Sequence, residues 1–200
     1  QFPADGRLVQ SRMLEAHRQE LERQGYRIVG TLADGFVAAR SKWHWDCMAT
    51  KISTLVLVRA VADVDAPTIL ADRAMLTQNA TRYDASALPR GFQKGRALVT
   101  FYVAERATPD AIALASARPP VDFASFSIAG ISEGGRGHFY RETPLFGGIY
   151  FSKFRYLLGR LVEPTASPDD EPLSVPGVAL TGVLAACIVG PFCCLPVACI

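Results

Sequence analysis

The residues best suited to bind a ligand lie in one short segment, from Pro89 to Arg96. This segment holds three cations and two glycines within eight residues. Guanidinium and ammonium groups beside glycine-rich backbone can hold a phosphate or an anionic lipid headgroup. Arg90, Lys94 and Arg96 are therefore candidates for an anion- or lipid-headgroup-binding site, but an ordinary exposed connection is the simpler interpretation. The spacing matches neither the P-loop nor the dinucleotide-binding motif.

A second segment, Trp43 to Cys47, places a histidine, a carboxylate and a thiol close together. Nucleophilic catalysis would require His44 to reach Cys47, with a third group to orient the histidine. One His-x-x-Cys pair also lacks the second pair of ligands that zinc requires. An aromatic loop that packs on the domain, or lies at a membrane interface, is the simpler interpretation. We predict no catalytic residue, no metal site and no cofactor.

The charges are unevenly distributed along the 200 residues. The chain has 21 Lys and Arg against 19 Asp and Glu, a formal net charge of +2, and half of its residues are hydrophobic. This composition excludes a disordered chain and gives no electrostatic reason to bind nucleic acid. Every charged residue lies at or before Glu171, and four of the five cysteines lie after it. A secreted disulfide framework would spread its cysteines through the polar part of the chain.

The charge-free C-terminal segment, residues 176–200, predicts a single transmembrane helix. Its 25 residues would span roughly 37 Å at about 1.5 Å per residue, against a hydrocarbon core of about 30 Å. The alternative is a buried C-terminal segment of the domain core. Gly182, Ala186 and Gly190 recur at every fourth position, which favours close packing against transmembrane helices of other subunits. Residues 164–175, rich in proline and acid, predict a stiff linker.

The remaining residues, 1–163, predict one α+β domain. Amphipathic periodicity indicates helices, and short apolar runs bounded by Gly, Pro and Asp indicate strands. Hairpins mixed with helices favour a mixed, mainly antiparallel sheet of about six strands with packing helices, rather than a doubly wound parallel sheet. The predicted helices are residues 8–24, 65–83, 108–118 and 145–162. The predicted strands are residues 26–32, 36–40, 52–62, 97–104, 121–131 and 138–141.

The last predicted helix carries an aromatic and aliphatic strip at helical spacing. The strip could line a site for a hydrophobic ligand or pigment, whereas packing into the domain core is the alternative. Its members are Phe146, Ile149, Tyr150, Phe154, Leu157, Leu158 and Leu161.

Three turn motifs, Pro89-Arg90-Gly91, Pro119-Pro120 and the segment from Glu142 to Gly147, occur in this order along the chain. In this respect the chain resembles an uncharacterised family of small archaeal α+β proteins, over residues 20–162. The resemblance implies an α+β fold and no activity, and the hydrophobic tail lies outside it.

These features favour a membrane-anchored, non-catalytic accessory or structural subunit of a membrane protein complex. The chain begins with Gln1 rather than Met, which favours removal of an N-terminal address and an organellar membrane, mitochondrial or plastid, in a respiratory or photosynthetic complex. The expected partners are transmembrane helices of other subunits and the lipid bilayer, with contact to pigment or lipid. The alternatives are a membrane-anchored enzyme that acts on a phosphorylated or lipid substrate, and a module that binds a hydrophobic ligand or pigment.

Overall fold

The chain folds into an α+β domain whose elements follow the predicted order, except that two antiparallel strands, Val121–Asp122 and Ser125–Glu133, stand where one strand over 121–131 was predicted. The computed structural model describes residues 4–44, 50–83, 94–122, 125–142 and 148–163. The helices in these ranges are α1 (Ala4–Arg23), α2 (Ala66–Asn79), α3 (Pro109–Ser116) and α4 (Gly148–Val162), and a 3-10 turn (Ala80–Tyr83) follows α2. The strands are β1 (Arg27–Leu32), β2 (Gly35–His44), β3 (Thr50–Val64), β4 (Lys94–Ala107), β5 (Val121–Asp122), β6 (Ser125–Glu133) and β7 (Arg136–Phe139).

The described strands form one mixed sheet in the order β1-β2-β3-β4-β6-β5, and β7 also pairs with β6. The pairs β1–β2, β2–β3, β5–β6 and β6–β7 are antiparallel, in line with the predicted hairpins. The two central pairs, β3–β4 and β4–β6, are parallel, which the sequence reasoning did not predict. They are parallel because helices α2 and α3 connect them and return the chain to the same end of the sheet.

Strand β3 lies at the centre of the sheet because its residues are apolar on both faces. Val56, Leu57 and Val58 are all fully buried, although adjacent side chains of a strand point to opposite faces. The prediction of a central strand covered on both sides is therefore confirmed, with the strand extending two residues further at each end than expected.

The helices cover the sheet on both faces. Helices α1 and α4 pack on one face, around Leu21, Phe101 and Leu158. Helices α2 and α3 pack on the other, around Ile69 and Leu76 of α2. We call these the α1/α4 face and the α2/α3 face.

The aromatic strip of α4 contributes to the core of the α1/α4 face. Its described members Phe154, Leu157, Leu158 and Leu161 are buried. The ring of Phe154 meets that of Phe126 edge to face, with centroids 4.7 Å apart. These side chains therefore pack as the core alternative predicts. Phe146 lies outside the described residues, as do the side chains of Ile149 and Tyr150.

Two helix ends show why the local sequence signals were accurate. Gly25 adopts φ 82°, a conformation that glycine tolerates best, and the amide of Tyr26 donates to the carbonyl of Leu21 at 2.9 Å. This pattern is a Schellman C-cap, so α1 ends where the glycine predicts. Asp65 accepts a hydrogen bond from the Thr68 amide at 2.9 Å and caps α2, as predicted.

The predicted membrane segment, residues 176–200, lies outside the described residues, together with the linker at 164–175 and the strip of Gly182, Ala186 and Gly190. Within the described ranges no helix is both long enough and apolar enough to cross a bilayer.

Candidate functional site

Two of the three predicted anion-binding residues belong to a strand rather than to a loop. Lys94 and Arg96 are the first and third residues of β4, whereas the expected strand began at Ala97. Because they are two positions apart, their side chains share one face of the sheet. Arg90 lies outside the described residues. The register places Lys51 of β3 beside Lys94, and Ser53 beside Arg96.

Arg96 is one of the residues that line a polar pocket on the α2/α3 face of the sheet. The pocket has a volume of about 210 Å³, and it lies where the 3-10 turn after α2 reaches β2, β3 and β4. On this face the lining side chains include two guanidinium groups, of Arg27 and Arg96, and two hydroxyl groups, of Ser41 and Ser53. The residues that line it are Gly25, Arg27, Ala39, Arg40, Ser41, Ser53, Thr54, Leu55, Ala80 and Arg96. We call it the basic pocket.

The described side chains that line the basic pocket are positively charged. Arg96 is 8% exposed, and arginine keeps its proton in proteins, so a formal charge is held here away from bulk water. No acidic side chain occurs among the described residues that line the pocket. An anion entering the pocket would therefore meet two cations, the buried Arg96 and the exposed Arg27.

The guanidinium of Arg40 lies on the α1/α4 face, because Arg40 is one position from Ser41 on β2 and adjacent side chains of a strand point to opposite faces. Its Nη1 donates to the backbone carbonyl of Gln24 at 2.7 Å. Its guanidinium carbon lies 5.4 Å from the ring centroid of Tyr26, a residue of the core on that face. Burial raises the pKa of the Tyr26 hydroxyl, and the nearby charge of Arg40 partly opposes that rise. Arg40 is therefore next to the basic pocket along the strand, but its charge is not among the groups that face an anion there.

Hydroxyl groups complete the polar wall. Oγ of Ser41 on β2 and Oγ of Ser53 on β3 lie 3.3 Å apart, since these residues face each other in the antiparallel pair. Hydroxyls and arginine forks are the donors that bind phosphate oxygens. The described lining contains no His, Cys, Asp or Glu, so its side chains can bind an anion but do not supply a group that exchanges a proton near neutral pH.

A second polar cluster, at the opposite end of β3, joins the layers of the fold. The Arg59 guanidinium donates from Nη1 to both oxygens of Asp72, at 3.0 and 2.9 Å, and from Nε to Asp34 at 3.0 Å. The Tyr102 hydroxyl donates to Asp72 at 2.8 Å. Burial and then the Asp72 charge raise the pKa of Tyr102. Asp72 of α2 and Asp34 of the β1–β2 turn both accept hydrogen bonds from Arg59 of β3, so the cluster connects α2 and this turn to the sheet.

A third cluster lies between α1 and α4. Nε of Arg160 contacts Oε1 of Glu20 at 3.1 Å, and both side chains are nearly inaccessible to solvent. The His17 ring, 4% exposed, packs edge to face against Phe101 at a centroid distance of 5.5 Å. Burial lowers the pKa of His17 to about 4, although the Glu20 charge acts in the opposite direction. This histidine is therefore neutral in the folded domain at physiological pH.

The Trp43–Cys47 segment lies only partly in the described residues. Trp43 is 41% exposed and pairs with Lys51, while the backbone of His44 pairs with Thr50. Residues 45–49 lie outside the described ranges, so the arrangement of His44 and Cys47 stays a prediction. Across the described residues, no three His, Cys, Asp or Glu side chains are grouped closely enough to hold a metal ion.

The sequence reasoning missed the other members of the basic pocket, chiefly Arg27, Ser41 and Ser53. Arg27 stands alone among apolar neighbours, and Ser41 and Ser53 carry no charge, so these residues form no cluster of charge that indicates the pocket. Alternation along β2 and β3 could have shown that Ser41 and Ser53 share a face. The sequence contains no local signal for the strand register that brings them next to Arg96.

The sequence matches no protein-family model and no curated protein.

Proposed function

We propose that the chain is a membrane-anchored, non-catalytic accessory protein whose α+β domain binds a phosphate-type anion in the basic pocket. The observation that carries this proposal is the convergence of Arg27, Arg96 and the hydroxyls of Ser41 and Ser53 on one small pocket whose described lining has no acid. Tetrahedral oxyanions are the ligands best matched to several arginine forks and hydroxyl donors at once.

The size of the pocket limits what can enter it. Its volume of about 210 Å³ is below the roughly 300–1,000 Å³ of pockets that enclose drug-sized ligands. We therefore expect the pocket to hold an anionic group, such as the phosphate of a larger molecule, and to leave the rest of that molecule outside.

Binding rather than turnover is supported by the chemistry of the lining. A phosphoryl-transfer or hydrolytic step needs a group that accepts a proton or holds a metal ion. Arginines remain protonated, and serine is a weak nucleophile unless a base activates it. The described lining offers neither a base nor a carboxylate. The membrane part of the proposal is supported by the charge-free segment at residues 176–200.

The test is a calorimetric titration of the full chain, in a nonionic detergent, with inorganic phosphate and with pyrophosphate. We expect saturable binding at one site. Arg27→Gln should weaken binding by about ten-fold or more, because a hydrogen bond to a charged group contributes about 1.5–3 kcal/mol. Arg27 is exposed, so this change should not disturb folding. Arg96→Gln should also weaken binding, with circular dichroism to confirm that the variant is folded.

The matched control is Arg136→Gln, which removes one exposed positive charge from the start of β7, at the opposite end of the sheet. The control should bind as the unchanged chain does. Equal affinity of the Arg27, Arg96 and Arg136 variants would contradict the proposal, because the effect would then reflect net charge rather than the pocket. Release of phosphate from pyrophosphate would instead favour the alternative of an enzyme acting on phosphorylated substrates.

A further inference from the structure

The charges of the sheet are segregated along its strands. One end, where the parallel strands β3, β4 and β6 begin, carries six cations. They are distributed over four neighbouring strands. In the described strands, the acidic residue near this end is Asp122 of β5, which pairs with Ser125 of β6. The cations are Arg27, Arg40, Lys42, Lys51, Lys94 and Arg96. We call this region the basic end.

The opposite end of the sheet is electrically mixed. The acids of β3, β4 and β6 all lie within the last three residues of their strands, at Asp63, Glu105 and Glu133. Two of the cations there are paired, since Arg106 contacts Asp63 at 2.7 Å and Arg59 contacts Asp72 at 2.9 Å. Among the described strands, cations therefore outnumber acids at the basic end, which the small net charge of the chain conceals.

An exposed tryptophan stands at the basic end. Trp43 is 41% exposed and lies directly beside Lys51 in the β2–β3 pair. It shares the α2/α3 face with Ser41, two positions earlier on the same strand, and Ser41 lines the basic pocket. Tryptophan is enriched where a protein meets the headgroup region of a bilayer. Lysine and arginine close to the surface are attracted to anionic lipids.

We propose that the basic end docks on the anionic surface of a lipid bilayer, with a lipid phosphate in the basic pocket and Trp43 at the level of the headgroups. This inference rests on the proposed function, because it names the lipid headgroup as the source of the bound anion. It adds a second contact between protein and membrane, separate from the C-terminal segment.

The width of the charged region favours a surface over a small soluble ligand. Neighbouring strands lie about 4.8 Å apart, so the three spacings from Arg27 on β1 to Lys94 on β4 extend over roughly 14 Å. One phosphate can engage the pocket but cannot reach Lys51, Lys94 and Trp43 as well. A layer of headgroups can contact all of them together, since it presents a phosphate at each lipid.

The docking can be measured with the full chain in lipid nanodiscs, by quenching of tryptophan fluorescence. The chain has two tryptophans, so Trp45→Phe leaves Trp43 as the single reporter. Nanodiscs of brominated phosphatidylcholine are compared with nanodiscs that also contain brominated phosphatidylserine. We expect Trp43 to be quenched strongly only when phosphatidylserine is present, and the quenching to fall at high salt, which screens exposed charges.

Charge variants then test the surface. In the Trp45→Phe background, Lys51→Gln and Lys94→Gln should each lower the ratio of docked to undocked domain by about five-fold, the factor that corresponds to the loss of one cation near an anionic surface. Arg136→Gln, which removes one charge from the opposite end of the sheet, should leave the ratio unchanged. These variants should bind inorganic phosphate much as before, because Lys51 and Lys94 do not line the pocket.

Failure of the docking and failure of the pocket are distinguishable. Equal quenching with and without phosphatidylserine, or equal effects of the Lys51, Lys94 and Arg136 variants, would overturn the docking. If phosphate still binds in the calorimeter, the pocket takes a soluble anion and only the lipid inference is lost. If neither quenching nor phosphate binding occurs, both proposals are wrong.

Discussion

Replacing His17 with leucine is expected to remove most of the loss of stability that the domain suffers between pH 6.5 and pH 4. His17 is buried between α1 and the sheet, and burial lowers its pKa from 6.5 to about 4. In that interval the unfolded chain binds a proton on this histidine and the folded chain does not. The free energy of unfolding must therefore rise with pH across the interval.

The magnitude follows from the difference between the two pKa values. Each pH unit between about 4 and 6.5 changes the free energy of unfolding by at most about 1.4 kcal/mol, so the whole interval accounts for about 3 kcal/mol. Glu20, which faces His17, titrates in a lower range. Burial opposes its ionisation, but hydrogen bonds from Gln24 and Arg160 and the charges of Arg160 and Arg23 outweigh burial and lower its pKa. Its contribution is lost only as the pH falls through that lowered value.

The assay is urea unfolding of the full chain in a nonionic detergent, followed by circular dichroism at a series of pH values from 7.5 downward. His17→Leu should give a nearly flat profile above pH 4.5. At neutral pH it should be about as stable as the unchanged chain, since leucine fills a similar volume and removes a buried Nδ1 that has no hydrogen-bond partner among the described residues. Gln19→Leu, on the exposed side of the same helix, is the control and should keep the original slope.

Two results would refute this reasoning. A His17→Leu profile as steep as that of the unchanged chain would show that other groups cause the acid sensitivity. A stability of the unchanged chain that does not vary between pH 6.5 and pH 4 would show that His17 is protonated in the folded domain, against its burial.

Three further predictions concern the packing of α2 and the C-terminal segment. Asp72→Asn should lower the free energy of unfolding by about 3 kcal/mol, because it leaves a largely buried arginine with one carboxylate instead of two, whereas Asp63→Asn at an exposed ion pair should change the urea midpoint little. Deletion of residues 172–200 should leave a folded protein that high salt releases from membranes, and aggregation of this truncation would place the segment in the domain core. Gly182→Leu should reduce co-purification of a partner complex in mild detergent, while Val183→Leu should not; equal recovery of the two variants would make the segment an anchor only.

Much of the fold could be predicted because its signals are local. The apolar run of β3, the Asp65 cap of α2 and the Gly25 end of α1 each depend on residues within a few positions of one another. The start of β4 was missed because Lys94 and Arg96 are polar, and a polar strand end resembles a loop when only the sequence is read. The strand–helix–strand order of β3, α2 and β4 favours parallel pairing, because a helical connection returns the chain to the same end of the sheet. The pairing was missed because this order does not show which strands are neighbours in the sheet.

The candidate site was only half predictable for a related reason. Lys94 and Arg96 could be found because they lie in a short segment rich in charge. Arg27, Ser41 and Ser53 belong to other strands, and only the register of the sheet brings them to the same pocket. The uneven distribution of charge along the strands could not be predicted either, because the net charge of +2 sums over all residues of the chain.

The central claim, that the basic pocket binds a phosphate-type anion, is tested most directly by nuclear magnetic resonance of the arginine side chains. The Nε–H signals of Arg27 and Arg96 are assigned by single Arg→Gln variants and followed while phosphate is added to the full chain in detergent. The account predicts that these two signals shift together along one saturating curve, while that of Arg59, held by two carboxylates, does not move. Signals of the two pocket arginines that stay unchanged while phosphate is added, or that shift no more than that of Arg59, would contradict it.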